Sequence, residues 1–362
     1  MQSGGIGVSD PDYSKTTQLR QLAAGLGLDY HCPCRVAMFT ADESEFFEVV
    51  MFKIATLGLL VLGSSLAAAA EFTLEETDNG VKVLLDGQFF TEYLKKSGTK
   101  PILWPILGPT GVPMTRAFPM ERIKGEKMDH PHHRSLWFTH GNVNGVDFWL
   151  ESKTKGGQEV HREFRKVVGG PQAVITAVVD WIAPDGKKVL EDERTYTFRT
   201  DGESRIIDFD ITLSATEGEV KFGDTKEGTF GVRVPTAIDV ESKKGGTIVN
   251  SDGLVDGATW GKPAAWVDYH GPIKDEVAGV AILNHPSSFR FPTTWHVRTY
   301  GLFAANPFGL HDFTGDNSQD GSHTLAAGEK LAFRYRVVLH KGDEKQAGIA
   351  ELFSKYSQED AK

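Results

Sequence analysis

Between Gln158 and Ala215 the sequence runs through four long segments, Gln158 to Val168, Ala173 to Ala183, Lys187 to Arg199 and Ser204 to Ala215, parted only by Gly169-Gly170-Pro171, Asp185-Gly186 and Asp201-Gly202. Breaks this short join antiparallel neighbours, so the stretch predicts a meander of hairpins. In the last segment Ile207, Phe209, Ile211 and Leu213 alternate with Asp208, Asp210 and Thr212. A period of two gives one set to a core face and the other to water or a ligand. Segments of 11 to 13 residues are longer than an ordinary strand and suit a large twisted sheet packed in a sandwich.

The rest of the chain keeps this style. Phe72 to Glu76 and Val81 to Leu85 flank Asn79-Gly80, a strong hairpin signal. Strands are also expected at Ile102 to Trp104, Ser135 to His140, Val146 to Leu150, Val220 to Phe222, Thr229 to Val234, Thr247 to Asn250, Ala264 to Tyr269, Val277 to Leu283, Trp295 to Phe303 and Lys330 to Leu339. Gly108 to Pro119 is too rich in Gly and Pro for a central strand. Only Ala347 to Tyr356 has helical spacing, with Ile349, Leu352 and Phe353 on one face. No repeat or composition break divides the chain after Glu71. These features predict an all-β fold, one large antiparallel β-sandwich domain over residues 71–362 with one short C-terminal helix.

The first 70 residues read differently. Lys53, the apolar run Ile54 to Leu66 and Ala68-x-Ala70 have the order of a signal peptide. Cleavage is expected near Ala70/Glu71, with export to the periplasm or beyond. Residues 1–50 would precede that signal, so they are expected to be a disordered extension created by a start assigned upstream of Met51. They hold both cysteines, Cys32 and Cys34, so the HCPC at His31 to Cys34 is not expected to be a metal site in the exported protein.

The first 70 residues hold 4 of 39 basic and 7 of 49 acidic side chains, so the remainder keeps 35 against 42, a net charge near −7. That argues against nucleic acid, which needs clustered Lys and Arg. No cysteine remains to staple the domain, and a length near 290 can bury a large core without one. No glycine-rich phosphate loop follows a strand and opens a helix, so no cofactor is implied.

Asp129 to Trp149, DHPHHRSLWFTHGNVNGVDFW, carries four of the twelve histidines. Asp129 to Arg134 is expected to be an irregular arm, because Pro131 disfavours helix before it. In the strand that follows, alternation places Trp137 and Thr139 on one face and Leu136, Phe138 and His140 on the other. Adjacent histidines on an extended chain point apart, so His132 and His133 cannot share one ion, whereas His130 and His132 could. Polar clusters also fall at strand ends: Asp224 to Glu227, Asp268 to His270, Asn284 and His285, Trp295 to Arg298, and Asn306 with His311. Side chains held at the ends of rigid strands are where ligands are usually handled.

Together with FGDTKEGTFGVRV at Phe222 to Val234, WVDYHG at Trp266 to Gly271, GVAILNHP at Gly279 to Pro286 and TWHVRTYGLFAANPFG at Thr294 to Gly309, the histidine stretch resembles an uncharacterised bacterial family carried under the label "methane oxygenase PmoA". Particulate methane monooxygenase is a membrane copper complex. No run of 18 or more apolar residues follows Glu71 to span a bilayer, so that activity is not expected. In architecture the chain is similar to the galactose mutarotase-like supersandwich. That resemblance implies a single large β domain with an open cleft for carbohydrate, in which a histidine acid works with a glutamate base.

The expectation is an exported carbohydrate-active enzyme, an epimerase, lyase or hydrolase acting by proton transfer on a sugar or oxidised sugar. Glu227 is the expected base and His296 or His140 the acid. Arg134 and Arg298 would hold an oxyanion or a substrate carboxylate, and Trp149 and Trp295 would stack on a sugar face. His133, Asn142, Lys226, His270 and Asn306 would complete the binding wall. The alternatives are a non-catalytic periplasmic carbohydrate-binding protein, and a mononuclear metal enzyme using His130 and His132.

Overall fold

The computed structural model describes residues 70–152 and 154–360. The expected extension of residues 1–50 and all but the last residue of the expected signal lie outside them. The first strands are β1 (Phe72–Glu76), β2 (Gly80–Leu85), β3 (Gln88–Ser97), β4 (Lys100–Ile106) and β5 (Leu136–His140). The meander is β6 (Gln158–Val168), β7 (Ala173–Ile182), β8 (Lys188–Asp201) and β9 (Ser204–Ser214). Then come β10 (Val220–Phe222), β11 (Gly228–Arg233), β12 (Thr247–Asn250), β13 (Trp266–Ile273), β14 (Glu276–Asn284), β15 (Trp295–Val297), β16 (Leu302–Ala305), β17 (His323–Leu325) and β18 (Lys330–Lys341). Two helices, α1 (Leu310–Thr314) and α2 (Ile349–Tyr356), are short.

One eight-stranded sheet runs β1-β2-β3-β4-β5-β11-β16-β15 and a second runs β12-β13-β14-β18-β9-β8-β7-β6, with β10 and β17 as a small ribbon. Neighbouring strands pair antiparallel. This is the expected all-β sandwich. Its core lies between the two sheets, where Phe230 of β11 stacks on Phe209 of β9 and on Tyr335 of β18, each at 4.7 Å between ring centroids. Such offset stacking adds about 0.5–1.5 kcal/mol per pair to the burial itself. Ile207, Phe209, Ile211 and Leu213 all enter that core. On the other face Asp208 and Asp210 accept from Arg336 and Arg334 of the neighbouring β18, so a ladder of ion pairs covers that face. Ile349, Leu352 and Tyr356 of α2 pack with Trp266, Leu283 and Val338, outside the second sheet.

Five segments differ from the sequence reading, two of them short additions, the helix α1 and the strand β17. β3 was not expected. Its pairing with β2 and β4 shifts register three times, and each bulge resets the alternation by which a strand is recognised. Val146 to Leu150 is not a strand, because the Asp147 carboxylate takes the backbone N–H groups of Trp149 and Leu150 that a ladder would need. Trp295 to Phe303 is not one strand but the hairpin β15–β16. Its turn closes by Arg298 N–H to Leu302 O at 2.7 Å and Gly301 N–H to Arg298 O at 3.1 Å. Gly301 has φ +102°, a conformation that favours glycine.

The first sheet's outer face is where these details matter. In β11 Phe230 and Val232 enter the core while Gly231 and Arg233 face outward; in β16 Leu302 and Ala304 face outward; in β15 His296 does. Trp137 of β5 lies flat across its partner Gly231, where a Cβ would come within 2.8 Å of the indole. Glycine therefore makes the space that lets a tryptophan cover the sheet.

Candidate functional site

The arm Asp129–Arg134 is fixed by two arginines from distant parts of the chain. Arg116 Nη1 donates to Asp129 Oδ1 at 2.7 Å, and its Nη2 donates to the carbonyls of His130 and His133 at 2.9 and 3.2 Å. Arg233 Nη2 donates to both Asp129 oxygens at 2.9 and 3.1 Å. Both guanidiniums are closed off from solvent, and a buried charge persists only when paired and hydrogen-bonded. Burial alone would raise Asp129, but Arg233, His130 and Arg116 outweigh it and hold the carboxyl at about 2.

His130 is exposed and has φ +42°, a left-handed backbone conformation that costs a non-glycine residue energy. Its Nδ1 bonds Asp129 Oδ2 at 2.5 Å, and its ring lies parallel to Tyr300 and His133 at 4.9 and 4.8 Å. An anchored carboxylate thus orients an accessible imidazole. Beneath it, His133 Nδ1 accepts from Arg233 Nη1 at 3.1 Å, which places the ring proton on Nε2. Burial, and then the charges of His132 and Arg233, drive the His133 pKa far down, so the ring is a fixed neutral donor. His132, turned 80° to His133 at 4.4 Å, is lowered to about 4 by burial and by Lys100.

Trp137 and Trp149 form the floor, 5.4 Å apart and fully buried. Trp149 continues to His296 at 6.2 Å, and His296 meets Trp260 at 5.1 Å. Burial lowers His296 to about 3, and its one bonded nitrogen reaches the Lys226 carbonyl. Trp137 Nε1, Trp149 Nε1, His133 Nε2, Arg233 Nε and His296 Nδ1 are buried without partners.

Glu227 stands at the rim on the loop before β11. The loop is sewn to the Gly141 turn by Gly141 N–H to Glu227 O at 2.7 Å and Gly223 N–H to Asn142 O at 2.8 Å. Burial raises the Glu227 carboxyl, Asp147 and Asp312 add to that, and Lys226 and His130 oppose it. Arg298, in the β15–β16 turn, rests its guanidinium over Trp260 at 4.7 Å and Tyr300 at 5.7 Å, and no carboxylate pairs with it among the described residues.

Of the residues named from sequence, the structure gathers Glu227, Lys226, His296, His133, Trp149 and Arg298 with His130 and His132 over the outer face of the first sheet. It places six others elsewhere. His140 faces the core against Phe222 and Phe308, is lowered to about 4 by burial, and bonds the Gly223 carbonyl at 2.9 Å. Trp295 is in the core, with its indole N–H on the Ala264 carbonyl. Arg134 is held bidentate by Glu151 at 2.6 and 2.7 Å, with Lys100 on the same carboxylate. Asn142 closes its own turn on Gly145, and Asn306 is spent on the Thr225 carbonyl and the Phe308 N–H.

His270 is on the second sheet, bonded to Asp268 at 2.6 Å; the other Asp268 oxygen bonds His340 at 2.7 Å. Asp268, His270 and Glu344 are the one group of three or more potential metal ligands converging among the described residues, and His130 and His132 are not in it. Sequence reasoning missed Arg116, Asp129, Trp137, Arg233, Trp260 and Tyr300. One signal was available: Arg233 is the one charge in the run GTFGVRV, where an arginine must find a partner.

The profile of a family of unknown function (DUF6807) matches residues 80–354. No curated protein matches the chain. A galactose mutarotase-like protein from Lactobacillus casei ATCC 334 aligns with 74% of this chain and 100% of its own at 10% identity, TM-score 0.34. One from Clostridium acetobutylicum aligns with 75% and 98% at 9% identity, TM-score 0.37. A GH36 α-galactosidase from Geobacillus stearothermophilus aligns with 76% and 39% at 14% identity, TM-score 0.32. Likeness of this degree says nothing about activity or substrate.

Proposed function

The chain belongs to this family of unknown function, DUF6807, and since the family brings no activity with it, neither a methane oxygenase's nor a mutarotase's, we propose one from the site: an exported carbohydrate-active enzyme that transfers protons at one carbon of a sugar or oxidised sugar. Glu227 is the base and His130 the acid. The observation that carries the reading is the Asp129–His130 pair, an accessible imidazole bonded through Nδ1 to a carboxylate that two buried arginines hold ionised. Such a carboxylate fixes the tautomer and the orientation of the ring and leaves Nε2 to exchange a proton with the substrate. Glu227, raised by burial, lies within reach of the His130 charge and can accept a proton at working pH. His296 and His133 stay neutral and serve to bind hydroxyls.

The test is solvent exchange. Purified protein is incubated in deuterium oxide with panels of sugars and 3-keto-glycosides, and label is followed by NMR. Wild type incorporates deuterium at one carbon, and Glu227→Gln and His130→Gln each slow it by about 10²–10⁴-fold. Tight sugar binding with no exchange or turnover would instead make the protein a binding module.

A further inference from the structure

We propose that the ligand of this cleft is an acidic sugar, a uronate, whose carboxylate is taken by the Arg298 guanidinium. The inference rests on the reading of the cleft as a sugar site and names the class of sugar. Three guanidiniums stand at this face, and two are committed: Arg116 and Arg233 to Asp129. Arg298 has no such partner among the described residues, is exposed, and is laid flat on the rings of Trp260 and Tyr300. A guanidinium held by its face presents its N–H edge outward, in the fork that matches a carboxylate. Lys226 does not compete for this role, since its ammonium sits 3.7 Å from Glu227 and 3.9 Å from Asp312.

The chain as a whole is acidic, with net charge −10, so an unpaired cation at this mouth is not part of a generally basic surface.

Isothermal titration of the purified protein with D-glucuronate and D-galacturonate, against D-glucose and D-galactose, tests this. At least one acid should bind about tenfold or more tighter than its neutral counterpart. Arg298→Gln should erase the preference while the thermal midpoint stays where it was, and Arg298→Lys should restore part of it. Equal affinity for acid and neutral sugar, or a preference that survives Arg298→Gln, overturns the carboxylate assignment and leaves the sugar site standing. No binding of any of the four overturns both.

Discussion

Replacing Asp129 by Asn removes one charge and almost no volume. Linkage sets an upper bound: a carboxyl held at about 2 against an unfolded value near ~3.9 contributes about 2.6 kcal/mol at neutral pH. The side chain is 35% exposed, and solvent screening reduces that to roughly 1–2 kcal/mol. Against this reduction, Arg116 and Arg233 would lose the one carboxylate within bonding distance among the described residues, and a buried charge left unpaired costs about 3–5 kcal/mol before relaxation. The amide oxygen of Asn keeps one acceptor in place. The expected net loss is about 2–3 kcal/mol, measured by urea unfolding at pH 7 with unchanged slope. The sign of the pH dependence follows from the depressed pKa. The Asp129 contribution is complete above the unfolded value, near pH ~4, and disappears as pH falls towards about 2. The gap between wild type and variant should therefore narrow to about half at pH ~3. A gap below about 0.5 kcal/mol at pH 7, or one of equal size at both pH values, would refute the anchoring role given to the two arginines.

Gly231→Ala places a Cβ 2.8 Å from the Trp137 indole, so it should cost about 1–3 kcal/mol and change the near-ultraviolet tryptophan signal. An unaltered signal at wild-type stability would mean that Trp137 does not lie across β11. Asp268→Asn should cost about 3 kcal/mol near pH ~6, because it strips two buried histidines of their shared partner. Burial alone would lower His270 and His340, yet Asp268 raises both. Their contribution is thus full below the ordinary histidine value and is lost as pH rises through the raised values, so the wild-type thermal midpoint should fall across that window and the variant's should not. Parallel pH profiles would contradict this.

The sandwich was legible because β7, β8, β9, β13, β14 and β18 keep their alternation over long runs with clear breaks. β3 was not, because three bulges reset its phase within ten residues. In the site, alternation alone places His296 outward and His140 with Leu136 and Phe138 on the core side, as the structure has them. Alternation could not show how polar groups are spent. Arg134 and Arg298 look alike in sequence, and only the fold sets Glu151 against one and two aromatic rings against the other. The Arg116–Asp129–Arg233 cluster joins residues up to 104 positions from Asp129, a coincidence in space that no local pattern encodes.

Arg298 and Tyr300 sit in one turn, two residues apart, at the edge of the first sheet where β15 has a single neighbour. The proposed carboxylate-binding arginine and the ring that braces the proposed acid could have come from separate loops, exchangeable one at a time. Here they are a single heritable unit. Lengthening or grafting this turn to redirect selectivity would also unseat the ring under His130, so redesign of the cleft should start from the loops carrying Trp260 and Glu227 and leave this hairpin intact.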